Sequence, residues 1–557
     1  MKIALAQLNY HIGNFESNTA KIIDYIRQAK HQGTDLVVFA ELAVCGYPSR
    51  DFLEFSEFIE LCQESVQKIA KECVDIACIV GSPSVNPKIE GKNLFNSAYF
   101  LENGEIKAQV NKTLLPTYDV FDEYRYFEPN TEFKLIEFKG KKIALTICED
   151  LWNVDEDPLY VKAPMDDLIK LQPDLMINIA ASPFDYNHRE DRIDVLQKNC
   201  KKYHLPLLYV NHVGAQTELI FDGGSLLLDS NGHVAHEFGY FTEEMKVLQL
   251  NANIWQQKPR AVGSGEKGEG TTIQNPQSEI ERIYHALLLG IRDYFQKSGF
   301  TKAILGMSGG IDSAVVLALA AEALGKDNVL PVLMPSQFSS HHSIDDSLEM
   351  VRGLSCHHEI IPIKDIFSSL EYALKPQFKD LPFNLTEENM QARIRGVLLM
   401  AMSNKFGYIL LNTSNKSETA VGYGTLYGDM CGGLSVIGDV YKIQVYELAR
   451  FINRNGVIIP ENIISKPPSA ELRHDQKDSD SLPDYALLDK ILYQYIELRQ
   501  GSKEIIAQGF DEAMVKRILK LVNTNEYKRH QTPPILRVSP KAFGVGRRMP
   551  IVGKYLY

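Results

Sequence analysis

The chain has 557 residues, 45% of them hydrophobic and 23% charged, a globular composition with a sizeable core and, at roughly 150 residues per domain, two to four domains. Its 71 acidic and 59 basic residues leave a net charge of −12. That balance argues against nonspecific binding to nucleic acid or anionic membranes and leaves small anions to local sites. The eight cysteines are scattered without a CxxC pair, so reduced thiols are expected rather than a disulfide framework or a zinc ribbon.

The start MKIALAQLNY enters a strand-like pattern without a basic leader or cleavage site. The longest apolar stretches, such as Ala314 to Ala321, fall far short of the roughly 18 residues of a membrane span. A cytoplasmic protein is expected. From Lys2 to about Asn251, β-branched runs such as IALAQL, LVVFAE, KIALTIC and LMINIAAS alternate with helix-like stretches after Ser17 and Asn187, predicting a mixed α/β domain over 1–255. Three apolar runs end on Glu41, Lys112 and Cys148, which suggests strand ends projecting into one site. A thiol is a weak nucleophile until a base takes its proton or a cation lowers its pKa, and Glu41 and Lys112 supply both.

Residues 256–277 are polar and rich in Gly and Pro, a linker composition. Beyond it, over 278–557, a helical pattern from Ser278 to Lys297 leads into strand AILGMS, helix DSAVVLALAAEAL, and strands NVLPVLMP, HEIIPI and YILLNT separated by helices. This order predicts a doubly wound parallel sheet, with ligands beyond the carboxyl ends of its strands at Gly306–Ser313, Pro335–Ser340 and Thr413–Glu418.

GMSGGIDS, Gly306 to Ser313, sits at a strand-to-helix corner. Backbone amides and the positive helix end can converge there on phosphate oxygens. Ser308 and Ser313 add hydroxyl donors, and Asp312 beside phosphates implies magnesium between the like charges. GMSGG also fits a GxSxG nucleophile elbow, but nothing singles out the acid and His such an elbow needs. No GK pair is followed by Ser or Thr, so a Walker loop is excluded, and the GxGxxG string at 263–268 lies in the linker, away from any strand. HxE at His188–Glu190 lacks the PCxxC of a zinc deaminase. The pairs His341–His342 and His357–His358 are expected on helix or loop surfaces.

The loop, with ENMQARIRG (388–396), NTSNKSETAVGYGTLYGDM (412–430), KPPSAELRHDQKDSDSLP (466–483) and EYKRHQTPPILRVSPKAFG (526–544), resembles the NAD synthetases among the ATP pyrophosphatases. The resemblance implies that Gly306, Met307, Ser308, Gly309, Gly310, Ile311, Asp312, Ser313 and Thr413 bind ATP, with Lys442 and Ser469 as further contacts. It implies Asp312 and Glu418 as magnesium ligands, and Asn389, Arg393, Glu418 and Lys528 as the residues holding deamido-NAD. Leu426 stands where ammonia-using members often carry Lys.

The flanks of Glu41, Lys112 and Cys148, with FDEYRYF (121–127) and FDGGSLLLDSNG (221–232), resemble the nitrilase superfamily of carbon–nitrogen hydrolases. This implies a four-layer α-β-β-α sandwich. Glu41 would be the general base, Lys112 the oxyanion stabiliser, Cys148 the nucleophile and Glu123 a second glutamate orienting the triad. Tyr118 and Ser182 match glutamine-recognition positions, and His188, where Gly-Lys is usual at 187–188, is placed to meet the glutamine carboxylate. Together the two resemblances imply glutamine hydrolysis feeding ammonia, through a closed passage, to ATP-dependent amidation of deamido-NAD by a homo-oligomer. A stand-alone amidase with a nucleotide-sensing second domain and a regulatory module without chemistry are the rival readings.

Overall fold

Strands with both faces covered are apolar throughout, and Ile3, Ala4, Leu5 and Ala6 are all fully buried. The computed structural model describes residues 1–251, 254–257, 276, 278–474, 476, 478–480 and 482–555. Of the linker expected over 256–277, only 256, 257 and 276 are among the described residues, and the GxGxxG string lies outside them. The chain divides into two units, Met1–Pro276 and Gln277–Tyr557. No described helix is long and apolar enough to cross a membrane.

The first unit has two main sheets. One runs in the order Ile254–Gln257, Glu244–Asn251, Lys2–Gln7, Leu36–Val38, Ala77–Val85, Leu94–Glu102, Glu105–Asn111. The other runs Val234–Glu237, Leu226–Leu228, Leu207–Val210, Leu175–Ile179, Lys141–Ile147, Ile136–Phe138. Lys2–Gln7, Leu36–Val38 and Ala77–Val85 pair in parallel, as do Lys141–Ile147, Leu175–Ile179 and Leu207–Val210. The sheets face each other across one core. Helices Phe15–His31 and Ser56–Glu72 add the stripes Ile22, Ile26, Ala29 and Val66, Ile69, Ala70 to it, and His188–Tyr203 adds Leu196, Cys200 and Tyr203. This is the nitrilase-like sandwich. Three strands stop just short of Glu41, Lys112 and Cys148, so their ends deliver those residues.

The second unit carries an all-parallel sheet in the order Glu359–Ile360, Val329–Leu333, Ala303–Gly306, Ile409–Asn412, Leu434–Ser435. Strand order reverses between Ala303–Gly306 and Ile409–Asn412, so the loops that follow them flank the crevice where doubly wound sheets bind ligands. HEIIPI contributes only a two-residue edge strand, and the edge strand Leu434–Ser435 is equally short. Hydrophobic pattern does not resolve runs of that length. His341, His342 and His357 are exposed, and His358 is half-buried.

Candidate active sites

In the first unit Glu41 is 0%, Lys112 1%, Glu123 4% and Cys148 7% exposed. Lys112 Nζ donates to Glu41 Oε1 and to Glu123 Oε1, both at 2.8 Å. Asn96 Nδ2 donates to Glu41 Oε1 at 2.7 Å, the Ala181 amide to Glu41 Oε2 at 2.9 Å, and Tyr47 OH to Glu123 Oε1 at 2.9 Å. Charges taken this far from water persist only when paired and hydrogen-bonded. Burial works against the Lys112 ammonium, but Glu123 and Glu41 hold its pKa well above the usual lysine value. Burial likewise raises the Glu123 carboxyl, against the pull of Lys112.

Cys148 follows the strand Lys141–Ile147 at φ 44°, a left-handed conformation that L-residues seldom adopt. Burial and the Glu41 charge push its thiol well above the ordinary value, partly opposed by Lys112. Burial and Glu41 thus favour the neutral thiol, and Lys112 favours the thiolate. Gly81 makes room for this arrangement, because a Cβ there would lie 2.3 Å from the Leu42 amide nitrogen and 2.7 Å from the Ala40 oxygen.

Of the residues matched to glutamine recognition, Ser182 is buried and Tyr118 is 41% exposed. Tyr118 OH donates to Glu149 Oε1 at 2.9 Å, and Tyr160 OH reaches the same oxygen at 3.0 Å. Ser182 Oγ lies 2.6 Å from His188 Nε2, and the His188 ring stacks on Trp152 with centroids 5.1 Å apart.

In the second unit the loop after Ala303–Gly306 turns at Gly309, φ 76°, where a Cβ would stand 2.4 Å from the Ser343 oxygen. Gly310 caps helix Ile311–Leu324, and Ser313 Oγ donates to the Gly310 oxygen at 3.0 Å. Two cavities meet along this loop. One of about 250 Å³ is walled by Gly306, Met307, Leu333, Met334, Leu399 and Leu410. The other, of about 660 Å³, is walled by Gly310, Ile311, Asp312, Glu418, Lys442 and Lys528 among others. Ser308, Thr413 and Ser469 line both. An apolar slot opening onto a wide polar one suits a purine with its phosphates directed along the loop.

Two carboxylates converge in the larger cavity. Lys442 Nζ lies 2.5 Å from Asp312 Oδ2 and 3.5 Å from Glu418 Oε1. Burial and the Asp312 charge raise the Glu418 carboxyl, while Asp312 and Glu418 hold the Lys442 ammonium against its own burial. Asn415 joins the pair: its Nδ2 donates to Asp312 Oδ1 at 2.8 Å and its Oδ1 accepts the Glu418 amide at 3.0 Å. Hard oxygens already gathered round one cation suit Mg²⁺ shared with phosphate. Among the described residues no group of three or more His, Cys, Asp or Glu could hold a metal ion.

The remaining candidates divide. Asn389 and Lys528 line the larger cavity, where Asn389 Oδ1 accepts Thr425 Oγ1 at 2.7 Å and Lys528 Nζ donates to the Gly422 and Gly424 oxygens at 2.7 and 2.9 Å. Ser469 Oγ donates to the Gln476 oxygen at 2.5 Å. Arg393 is exposed, lines neither cavity and donates from Nε to the Leu426 oxygen at 3.1 Å. Sequence reading missed Tyr47, Asn96, Glu149 and Asn415. Only Asn415 carried a local signal, since Asn-x-x-Glu at 415–418 is a helix-capping pattern.

Comparison with known proteins covers both units. The carbon-nitrogen hydrolase family matches residues 2–260 and the NAD synthase family residues 283–532. A glutamine-dependent NAD(+) synthetase of a Synechocystis species is 46% identical over 99% of this chain and 98% of its own length. That of Acinetobacter baylyi is 42% identical over 99% of this chain and 98% of its own. The structure of glutamine-dependent NAD+ synthetase from Acinetobacter baumannii in complex with ADP superposes with a TM-score of 0.77 at 38% identity, covering 100% of this chain and 99% of that one.

Proposed function

The chain belongs to the glutamine-dependent NAD(+) synthetases, and from that premise we propose which residues carry each half of its reaction. Glutamine supplies nitrogen, deamido-NAD receives it, and a glutaminase domain and a synthetase domain divide the work. The proposed boundaries are 1–255 for the glutaminase and 278–557 for the synthetase.

In the first domain Cys148 Sγ attacks the side-chain amide carbon of glutamine while Glu41 takes the thiol proton. Lys112 stabilises the oxyanion, and Glu123 keeps Lys112 charged and in place. Glu41 returns the proton to the departing ammonia, then deprotonates the water that hydrolyses the thioester to glutamate. Tyr118, Ser182 and His188 hold the rest of the substrate. The observation that carries this half is Lys112 buried between Glu41 and Glu123 beside a strained cysteine.

In the second domain ATP lies along Gly306–Ser313, with Thr413, Lys442 and Ser469 against it; that an Acinetobacter baumannii relative was solved in complex with ADP supports an adenine nucleotide as ligand. The nicotinate carboxylate of deamido-NAD attacks the α-phosphorus and pyrophosphate leaves. Ammonia then adds to the adenylated carboxyl carbon and AMP leaves, giving the carboxamide. Asp312 and Glu418 would hold Mg²⁺, which when bound neutralises phosphate charge. Asn389, Arg393, Glu418 and Lys528 bind deamido-NAD. A homo-oligomer is part of the proposal, since the closed ammonia passage that the family resemblance implies is commonly completed across subunits.

The test is NAD formation by Cys148→Ala from deamido-NAD, ATP and Mg²⁺, with either glutamine or ammonium. NAD from ammonium alone is expected. NAD still formed from glutamine would remove Cys148 from its role.

A further inference from the structure

Asp150 is 4% exposed, and its oxygens are spent on backbone donors from two separate segments. Oδ1 accepts the amides of Thr113 and Leu114, both at 2.9 Å. Oδ2 accepts the amide of Ile147 at 3.0 Å. Thr113 and Leu114 directly follow Lys112, and Ile147 directly precedes Cys148. One carboxylate thus grips the chain on the far side of the lysine and on the near side of the nucleophile.

The second grip is also a cap. The turn Cys148–Leu151 begins at Ile147, and Asp150 reaches back to that first amide. The turn needs such a hold, because Cys148 stands at φ 44°. A residue held in a sparsely populated backbone region costs about 1–3 kcal/mol and persists only where its surroundings over-determine it. Hydrogen bonds from amides to an ionised carboxylate are about twice as strong as neutral ones.

We propose that Asp150 is a positioning residue that sets the Cys148 thiol against the Lys112 ammonium. It touches neither substrate nor reacting atoms and acts through the backbone on both sides. The proposal rests on the reading of Cys148 as the glutaminase nucleophile. Displacing a catalytic group by about 1 Å can cost on the order of a hundredfold in rate, so a grip on both segments controls turnover more than substrate affinity.

The test uses full-length Asp150→Asn, whose amide keeps one acceptor oxygen but turns N–H groups toward a backbone donor. The expected result is a fall of about a hundredfold in kcat with glutamine, with KM for glutamine within about threefold and the ammonium-driven rate unchanged. Alkylation by iodoacetamide should slow at least about tenfold, with mass spectrometry still finding label on Cys148 alone among the cysteines of the first unit. Asp150→Glu, which keeps the charge one methylene further out, should fall between Asn and wild type. Turnover and alkylation near wild type in Asp150→Asn would overturn the proposal. So would label spread over Cys45, Cys62, Cys73, Cys78 and Cys200, which would mean that Asp150 supports the whole domain and not this pair. Failure of the underlying reading shows up separately, as glutamine-driven NAD from Cys148→Ala.

Discussion

In the first unit two carboxylates, Glu41 and Glu123, share the ammonium of Lys112, with no member more than 4% exposed. In the second, Asp312 and Glu418 share Lys442 at the wall of a cavity, with carboxylate side chains 17% and 16% exposed. The reacting group of glutamine is a neutral amide, so the site proposed for it can complete its charge pairing in advance and admit only the substrate and the one water that hydrolysis needs. ATP and pyrophosphate bring several negative charges and a counter-ion, so their site must leave its carboxylates reachable. On the proposed assignment, the same residue types serve as a closed catalytic cluster in one place and an open electrostatic seat in the other.

The sharpest way to break this comparison is to remove the shared cation from the closed site. Lys112→Ala leaves Glu41 and Glu123 buried without their partner, a loss of about 3–5 kcal/mol in a buried pair. Glutamine-driven NAD should fall by about a thousandfold or more, with thermal unfolding of the first unit shifted down and the ammonium-driven rate retained. A milder loss shared equally by both nitrogen sources would contradict separate sites. Asp312→Asn is the counterpart in the open site. It should cut NAD formation by about a hundredfold to a thousandfold with glutamine and ammonium alike, and raise the Mg²⁺ concentration needed for half-maximal rate. An effect confined to glutamine would place Asp312 outside the synthetase site.

A smaller effect sharpens the closed half. Burial and Glu41 raise the Cys148 thiol well above its usual value. The neutral thiol is the dominant form below that raised pKa, and the reactive thiolate grows about tenfold for each pH unit beneath it. Iodoacetamide alkylation of Cys148 in the free protein should therefore keep rising from neutral pH to pH 9, a range set by the ordinary thiol pKa of about 8.5. A plateau reached near neutrality would mean that Lys112 outweighs burial and Glu41.

Much of what the fold brings together at the two candidate sites was legible because apolar runs stop at those residues. LVVFAE, QVNK and LTIC end on Glu41, Lys112 and Cys148, and the strands stop just before each of them. The strand-to-helix glycine loop likewise marked Gly306–Ser313. The partners that hold these groups were not legible. Asn96 sits within LFNSAYF, where nothing local distinguishes it, and its meeting with Glu41 depends on strand pairing across 55 residues. Asp150 reads as one acid among EDLW until the fold brings Thr113 and Leu114 to it. Arg393, legible by resemblance, faces solvent on the single chain. Long-range hydrogen bonds are set by topology, and local pattern does not encode them.

The central contrast, a closed and fully paired site against an open and reachable one, is most directly tested by hydrogen exchange on the free protein and on the protein with ATP and Mg²⁺. The amides of Thr113, Leu114, Ile147 and Ala181, bonded to Asp150 and Glu41, should exchange slowly in both. Those of Gly309 and Ile311 should become slower only when ATP and Mg²⁺ are present. Fast exchange at Thr113, Leu114 and Ile147 in the free protein, or equal protection of Gly309 and Ile311 without ligand, would contradict it.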